Sequence, residues 1–140
     1  MESPPFQLDL VTPRRVLFSG QVVSFSAPGA AGGFQVLHNH APLLALMTVG
    51  EMKLQSVAGE EESYATSGGI VDVRDNKAVI LAEAAERADQ IDVERAQAAL
   101  ERARKRLSSR APGLDVGRAQ RAAQRATNRI RVAAKARVTS

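Results

Sequence analysis

The chain has 140 residues, of which 44% are hydrophobic and 24% charged, and it contains no cysteine. This is the composition of a folded protein of one domain, or of a small domain with an appendage, and it excludes disulfide frameworks, thiolate nucleophiles and cysteine-based zinc sites. The net charge of +4 hides a division: residues 1–87 carry six Lys/Arg against ten Asp/Glu, residues 88–140 thirteen against five, a change from −4 to +8 that implies two parts with different partners. The opening Met1-Glu2-Ser3-Pro4-Pro5 has no basic cluster and no apolar run behind it, so neither a secretory signal nor a transit peptide is expected. No window approaches the about 20 apolar residues of a spanning helix, so any link to a membrane is expected to run through partners.

Up to about Ala82 the sequence reads as short strands. Phe6, Leu8 and Leu10 alternate with Gln7 and Asp9, and Met52 and Leu54 with Lys53 and Gln55, the period that leaves one strand face buried. Turn signals stand between such runs at Ser19-Gly20, Pro28-Gly29, Gly32-Gly33, Gly59, Gly68-Gly69 and Asp75-Asn76. The pattern predicts an antiparallel sandwich or flattened barrel over residues 1–87, with Ala78–Ala82 as its last strand.

From Asp89 the period changes. Val93, Ala96, Leu100, Ala103 and Leu107 form a helical stripe, with Asp92 as the expected N-cap. Ser108 to Gly113 should end that helix. A second follows behind Asp115, striped by Val116, Ala119, Ala123, Ala126, Ile130 and Ala133. Two striped helices with a short loop predict an antiparallel hairpin over residues 88–140, making the whole an α+β protein in two parts. Six of the eleven stripe residues are alanine. Each buried methyl contributes only about 0.8 kcal/mol against about 1.5–3 for a Leu or Ile, so composition leaves open a weakly held hairpin or a merely alanine-rich stable one.

Arg118, Arg125 and Arg129 lie within about 40° of one another on the second helix, with Arg121 roughly 60° to one side and the apolar stripe about 110° away. Arginine forks match phosphate oxygens, but a solvated basic face has the same pattern. A nucleic-acid arm is the competing functional reading; no aromatic residue falls in the basic half to stack on bases, which argues against it. His38 and His40, two apart, would share one strand face, and no further histidine or cysteine exists to complete a metal site. Gly29, Gly32 and Gly33 lack the Lys-Ser/Thr of a phosphate loop and read as a turn. No Ser/His/Asp or Cys/His set assembles, so neither a catalytic residue nor a required cofactor is expected, and a stand-alone nucleotide hydrolase is disfavoured.

The stretch Phe34-Gln35-Val36-Leu37-His38-Asn39-His40-Ala41-Pro42-Leu43-Leu44, centred on His40-Ala41-Pro42, resembles a signature of the epsilon subunits of F-type ATP synthases. Phe18-Ser19-Gly20, Ser67-Gly68-Gly69-Ile70 and Ala82-Glu83-Ala84-Ala85-Glu86-Arg87-Ala88 are similar to further family segments, in order, over Phe6 to Val138. One departure is Asn39, where glycine is frequent. The resemblance implies a sandwich of about ten strands followed by two helices. It also implies a non-catalytic rotor subunit of the central stalk, coupling proton translocation to ATP synthesis. The implied partners are the gamma subunit, the ring of c subunits and, through the helices, the alpha and beta subunits. The implied place is peripheral, on the cytoplasmic face of a bacterial plasma membrane or the stromal face of a thylakoid. Ala30, Ala31, Gly32 and Gly33, with His38, His40 and Pro42, match the part that meets the ring and gamma; His40 would equally serve as a structural histidine in a tight turn.

Ile91-Asp92-Val93-Glu94-Arg95-Ala96 is similar to the nucleotide motif of family members that bind ATP. Glu86 stands five residues ahead of it, and Arg125 and Arg129 match a pair of arginines four apart. The resemblance therefore implies adenine and ribose near Glu86, Ile91, Asp92 and Ala96, and phosphates at Arg95, Arg125 and Arg129, with ATP as a regulatory ligand. In the implied mechanism ATP holds the hairpin closed, and its loss frees the helices to inhibit hydrolysis.

Overall fold

A computed structural model describes residues 3–139, which fall into two compact units divided between Arg87 and Ala88. In the first, strand β1 (Phe6–Val11) buries Phe6, Leu8 and Leu10 and leaves Gln7 and Asp9 facing outward, as the alternation predicts. The other strands are β2 (Val16–Ala27), β3 (Phe34–Val36), β4 (Leu43–Met47), β5 (Gly50–Ser56), β6 (Glu61–Thr66), β7 (Gly69–Arg74), β8 (Lys77–Ala82) and β9 (Ala85–Arg87). They make one open sheet in the order β4-β7-β8-β1-β2-β5-β6-β9, with β3 also paired to β2.

The twelve-residue β2 serves both halves of this sheet. Its first part pairs with β1 up to Val22; from Val22 to Ser26 it pairs with β5, and Phe25–Ala27 pair with β3. A register irregularity between Val22 and Ser24 marks the change, the usual way a strand bends from one layer to another. The two halves then share one core, in which Phe6, Leu8 and Leu10 meet Phe25, Met52, Leu54, Val71 and Ile80. Each such side chain contributes about 1.5–3 kcal/mol by leaving water.

The described strands number nine, in keeping with the sandwich of about ten. One expectation is corrected. Ala78–Ala82 lies in β8 but is not last, because Ala85–Arg87 adds β9 to the edge of β6. The pairings are antiparallel with one exception: β1 and β8 run parallel, Gln7 beside Lys77 and Val11 beside Leu81. Turn chemistry follows the sequence more closely. Asp75 and Asn76 hold φ of 50° and 56°, the two left-handed positions of a tight hairpin between β7 and β8. Gly69, at φ 146°, admits no side chain, since a Cβ would collide with the Leu81 carbonyl oxygen.

In the second unit a short 3-10 turn (Ala88–Gln90) precedes helices α1 (Val93–Ser109) and α2 (Val116–Thr139). Asp92 Oδ1 accepts from the Arg95 backbone N–H at 3.0 Å, and Asp115 Oδ1 from that of Arg118 at 3.0 Å, so both expected caps form. Helix α1 stops where Arg110 turns left-handed at φ 50°, and Gly113 at φ 81° completes the loop. The helices pack together along the expected seam: Ala96, Ala103, Ala119, Ala126 and Ala133 are buried, while Val116 is 49% exposed at the loop end. Helix α2 is also buried at Asn128 and Val132, roughly 160° and 120° round the axis from Ala126. The seam is therefore not its whole packing surface, and the 3-10 turn lies against it as well as α1.

Candidate functional site

Across β4, β7, β8, β1 and β2, paired residues stand in rows on the outer face of the sheet. Leu46 pairs with Ile70, Ile70 with Leu81, Leu81 with Val11 and Val11 with Val16, an apolar row across five strands. Leu46 is 64% exposed, Val16 60%, Leu81 54% and Ile70 40%. Two residues along β4, β7, β8 and β1, and three along β2 past its register irregularity, the row reads Leu44, Asp72, Val79, Asp9 and Ser19, with Leu44 75% exposed. Beyond it come Arg74, Lys77, Gln7 and Gln21. The face thus grades from apolar to charged along the strands. Single exposed leucines are ordinary, but a continuous patch of them marks an interaction site.

The polar side of the face is internally bonded. Ser19 Oγ donates to Asp9 Oδ1 at 2.8 Å and Gln7 Nε2 to the same oxygen at 3.0 Å, while Lys77 Nζ lies 3.5 Å from Oδ2. These bonds, Ser19's above all, hold the Asp9 carboxyl below its usual range. Arg74 donates to both oxygens of Asp72, from Nη2 at 2.7 Å and Nε at 3.3 Å. That fork lowers the Asp72 carboxyl and raises the Arg74 guanidinium.

His38 and His40 do not lie on a strand. They flank a turn closed by the His40 N–H donating to the Leu37 carbonyl at 3.2 Å, and Asn39 takes φ 56° within it. Asparagine tolerates that left-handed geometry better than most other side-chain-bearing residues, so it suits the turn. His38 Nδ1 donates to the Pro5 carbonyl at 3.0 Å and His40 Nδ1 to that of Ala41 at 2.7 Å, which places a proton on each Nδ1. Ala30, Ala31, Gly32 and Gly33 are exposed in the β2–β3 turn at the opposite end of β3. There Ala30 N donates to the Leu46 carbonyl at 2.8 Å, at the far end of β4 from Pro42. The residues matched to a ring interface therefore form two groups: Ala30–Gly33 beside the apolar row, His38, His40 and Pro42 beside the charged end.

The residues matched to a nucleotide site stand as follows. Ile91 and Ala96 are buried, at 8% and 0%; Asp92 caps α1; Arg95 and Arg125 are exposed and Arg129 is half-buried. Counted back from the hairpin loop, Arg129 comes level with about Ala96 and Arg125 with about Leu100, so these residues share the end of the hairpin away from its loop. Glu86 is half-buried on β9 of the first unit, paired with Ala65. Among the described residues no group of three or more His, Cys, Asp or Glu is gathered as metal ligands, and no helix is long and apolar enough to cross a membrane.

Residues 5–88 match the family of the ATP synthase delta/epsilon chain beta-sandwich domain, and residues 89–134 that of the delta/epsilon chain long alpha-helix domain. A protein named ATP synthase epsilon chain from Carboxydothermus hydrogenoformans is 48% identical over 104 residues, 74% of this chain and 77% of that one. The chain belongs to the ATP synthase epsilon family. Another epsilon chain, from Desulforamulus reducens, is 47% identical over 74% of this chain and 78% of that one. A chain in the Euglena gracilis mitochondrial ATP synthase, in a structure of its OSCP/F1/c-ring assembly, shares the fold at a TM-score of 0.79 and 20% identity, over 99% of this chain and 84% of that one. A Tetrahymena thermophila chain from a central stalk and c-ring structure gives 0.57 at 17% identity, over 97% and 98%.

The outer apolar row is not among the features read from the sequence. Its signal was present: Leu43-Leu44-Ala45-Leu46-Met47 and Ala78-Val79-Ile80-Leu81-Ala82 are unbroken apolar runs, the pattern of strands covered on both faces.

Proposed function

We propose that this epsilon-family chain is a non-catalytic rotor subunit of an ATP synthase central stalk, and that it docks the gamma subunit through the row Leu46, Ile70, Leu81, Val11 and Val16. The observation that carries this reading is the exposure of that row on strands whose sequence asks for cover on both sides. Covering each leucine is worth about 1.5–3 kcal/mol, enough in sum to favour a lasting attachment. Ala30–Gly33 adjoin the row and face the ring of c subunits, while His38, His40 and Pro42, at the other end of β3 and β4, border the gamma contact. The chain then sits peripherally at an energy-coupling membrane, held by the complex.

The hairpin is the regulatory part. ATP binds at the end of it away from the loop, with Asp92, Arg95, Arg125 and Arg129 as polar contacts and Ile91 beside the nucleoside; Ala96, at the closed seam, sets how near the helices approach. A nucleotide at 100 times its dissociation constant adds about 2.7 kcal/mol to the state it binds. An alanine seam at about 0.8 kcal/mol per methyl is weak enough for that to decide between closed and open helices. Opened helices carry their arginines to acidic surfaces of the alpha and beta subunits and restrain hydrolysis.

The test is Leu46→Glu in the full-length chain, added to ATP synthase stripped of its epsilon subunit. Attachment should fall by more than about a hundredfold while the free variant keeps its circular dichroism spectrum. Unchanged attachment removes the docking face from the reading.

A further inference from the structure

Besides the Asp9–Lys77 pair, the outer face carries a second charged pair, Asp72–Arg74, set closer to the exposed leucines. Asp72 stands in the second row with Leu44 on one side and Val79 on the other, and Ile70 precedes it on the same face of β7. Leu46 and Leu81 occupy the diagonals. Only toward Arg74 does the face turn polar. A partner that covers Leu44, at 75% exposure, together with Leu46 and Leu81, also covers Asp72, whose side chain is 35% exposed. We infer that the Asp72–Arg74 pair is enclosed when this face is docked, and that it selects and orients the partner; the inference rests on the docking face proposed above.

The chemistry follows from what the fork leaves over. Arg74 supplies one hydrogen bond to each carboxylate oxygen, through Nε and Nη2. Each oxygen keeps a lone pair directed outward. In water these are solvated and the pair contributes little. Once covered, they require donors from the partner. The pair is neutral as a unit, so a hydroxyl, a side-chain amide or a backbone N–H suffices, set within an otherwise apolar surface. A partner displaced by one strand spacing would press an aliphatic group onto Asp72 and leave the carboxylate buried without donors. The leucine row thus supplies adhesion that is indifferent to position, and Asp72 with Arg74 supplies the position.

The experiment compares full-length wild type, Asp72→Asn, Arg74→Gln, the double variant and Leu46→Glu for binding to ATP synthase stripped of its epsilon subunit. In the free chain Asp72→Asn and Arg74→Gln should melt with the wild type, because the pair is solvated there. In the complex each single change should weaken binding by roughly ten- to a hundredfold, since each leaves one covered charge without its counter-ion. The double variant, with no covered charge, should bind more tightly than either single variant. If both single variants bind within about twofold of wild type while Leu46→Glu still detaches, the pair lies at a solvated rim and the inference fails alone. A double-variant loss equal to the product of the single losses also overturns it. An inert Leu46→Glu would instead bring down the docking face beneath it.

Discussion

The backbone N–H of Asn39 donates to the side-chain oxygen of Asn76 at 2.7 Å, joining two turns 37 residues apart. Both residues hold φ of 56°, and Asn76 Nδ2 in turn donates to the Pro5 carbonyl at 3.2 Å, the oxygen that His38 also contacts. One asparagine side chain thus ties the β3–β4 turn, the β7–β8 turn and the segment entering β1. Asn76→Gly keeps the backbone conformation but removes both bonds, and should cost about 1–3 kcal/mol in urea unfolding. Asn39→Gly keeps both the conformation and the donor and should be within about 0.5 kcal/mol of wild type. Equal losses for the two would mean that the side-chain bridge carries nothing.

Acid should reveal the Asp9 cluster. The carboxyl of Asp9 is held below its ordinary value of 3.8 by Ser19, Gln7 and Lys77. A folded-state value below the unfolded one contributes stability that is fully present above the unfolded pKa and is lost as pH falls through the folded one. Asp9→Asn should therefore melt below wild type at pH 7, with the gap closing below about pH 4. A gap that does not narrow at all as the pH falls below about 4 would point to packing rather than charge.

The isolated chain should bind ATP without hydrolysing it. Arg125→Ala or Arg129→Ala should each weaken binding roughly ten- to a hundredfold, more than Arg118→Ala, because charge-assisted bonds to phosphate contribute about 1.5–3 kcal/mol. Asp92→Ala should weaken it too, and additionally cost about 1 kcal/mol of helix stability through the lost cap at Arg95. Titration calorimetry that finds equal, salt-sensitive losses for the three arginines, and none for Asp92, would leave only a basic surface.

Residues 1–87 should fold by themselves, since the core of that unit is closed by its own strands. Removing residues 89–140 should leave synthesis coupled and raise ATP hydrolysis by the assembled enzyme. An unfolded fragment, or unchanged hydrolysis at low ATP, contradicts the respective half of this expectation.

What the sequence made legible was local. Alternation exposed β1 and β5 because half-buried strands repeat every two residues, and Asp92 and Asp115 announced their helices because a cap is a short-range bond. Strand β9 escaped because Ala85-Glu86-Arg87 has neither alternation nor β-branched residues; its place comes from pairing with Tyr64 to Thr66. The parallel partnership of β1 with β8 depends on residues some 70 positions apart, beyond any local pattern. His38 and His40 have the spacing of a strand face, but Asn39 between them takes a left-handed conformation and makes a turn instead. Asn128 and Val132 lie off the alanine stripe, and only packing in three dimensions shows that α2 has a second buried side.

That β1–β8 partnership also dictates an order of events during synthesis. On the ribosome Phe6, Leu8 and Leu10 emerge first, yet their strand cannot be flanked on both sides until Lys77 to Leu81 have been made. At about 5–20 residues per second this leaves β1 waiting roughly 4–14 seconds with only β2 beside it. The nascent chain therefore presents an open strand edge flanked by Phe6, Leu8 and Leu10 long before the residues that will cover it exist. Chaperone demand should concentrate in that interval, and slowing translation between codons 20 and 76 should lower the soluble yield more than slowing it within the helices.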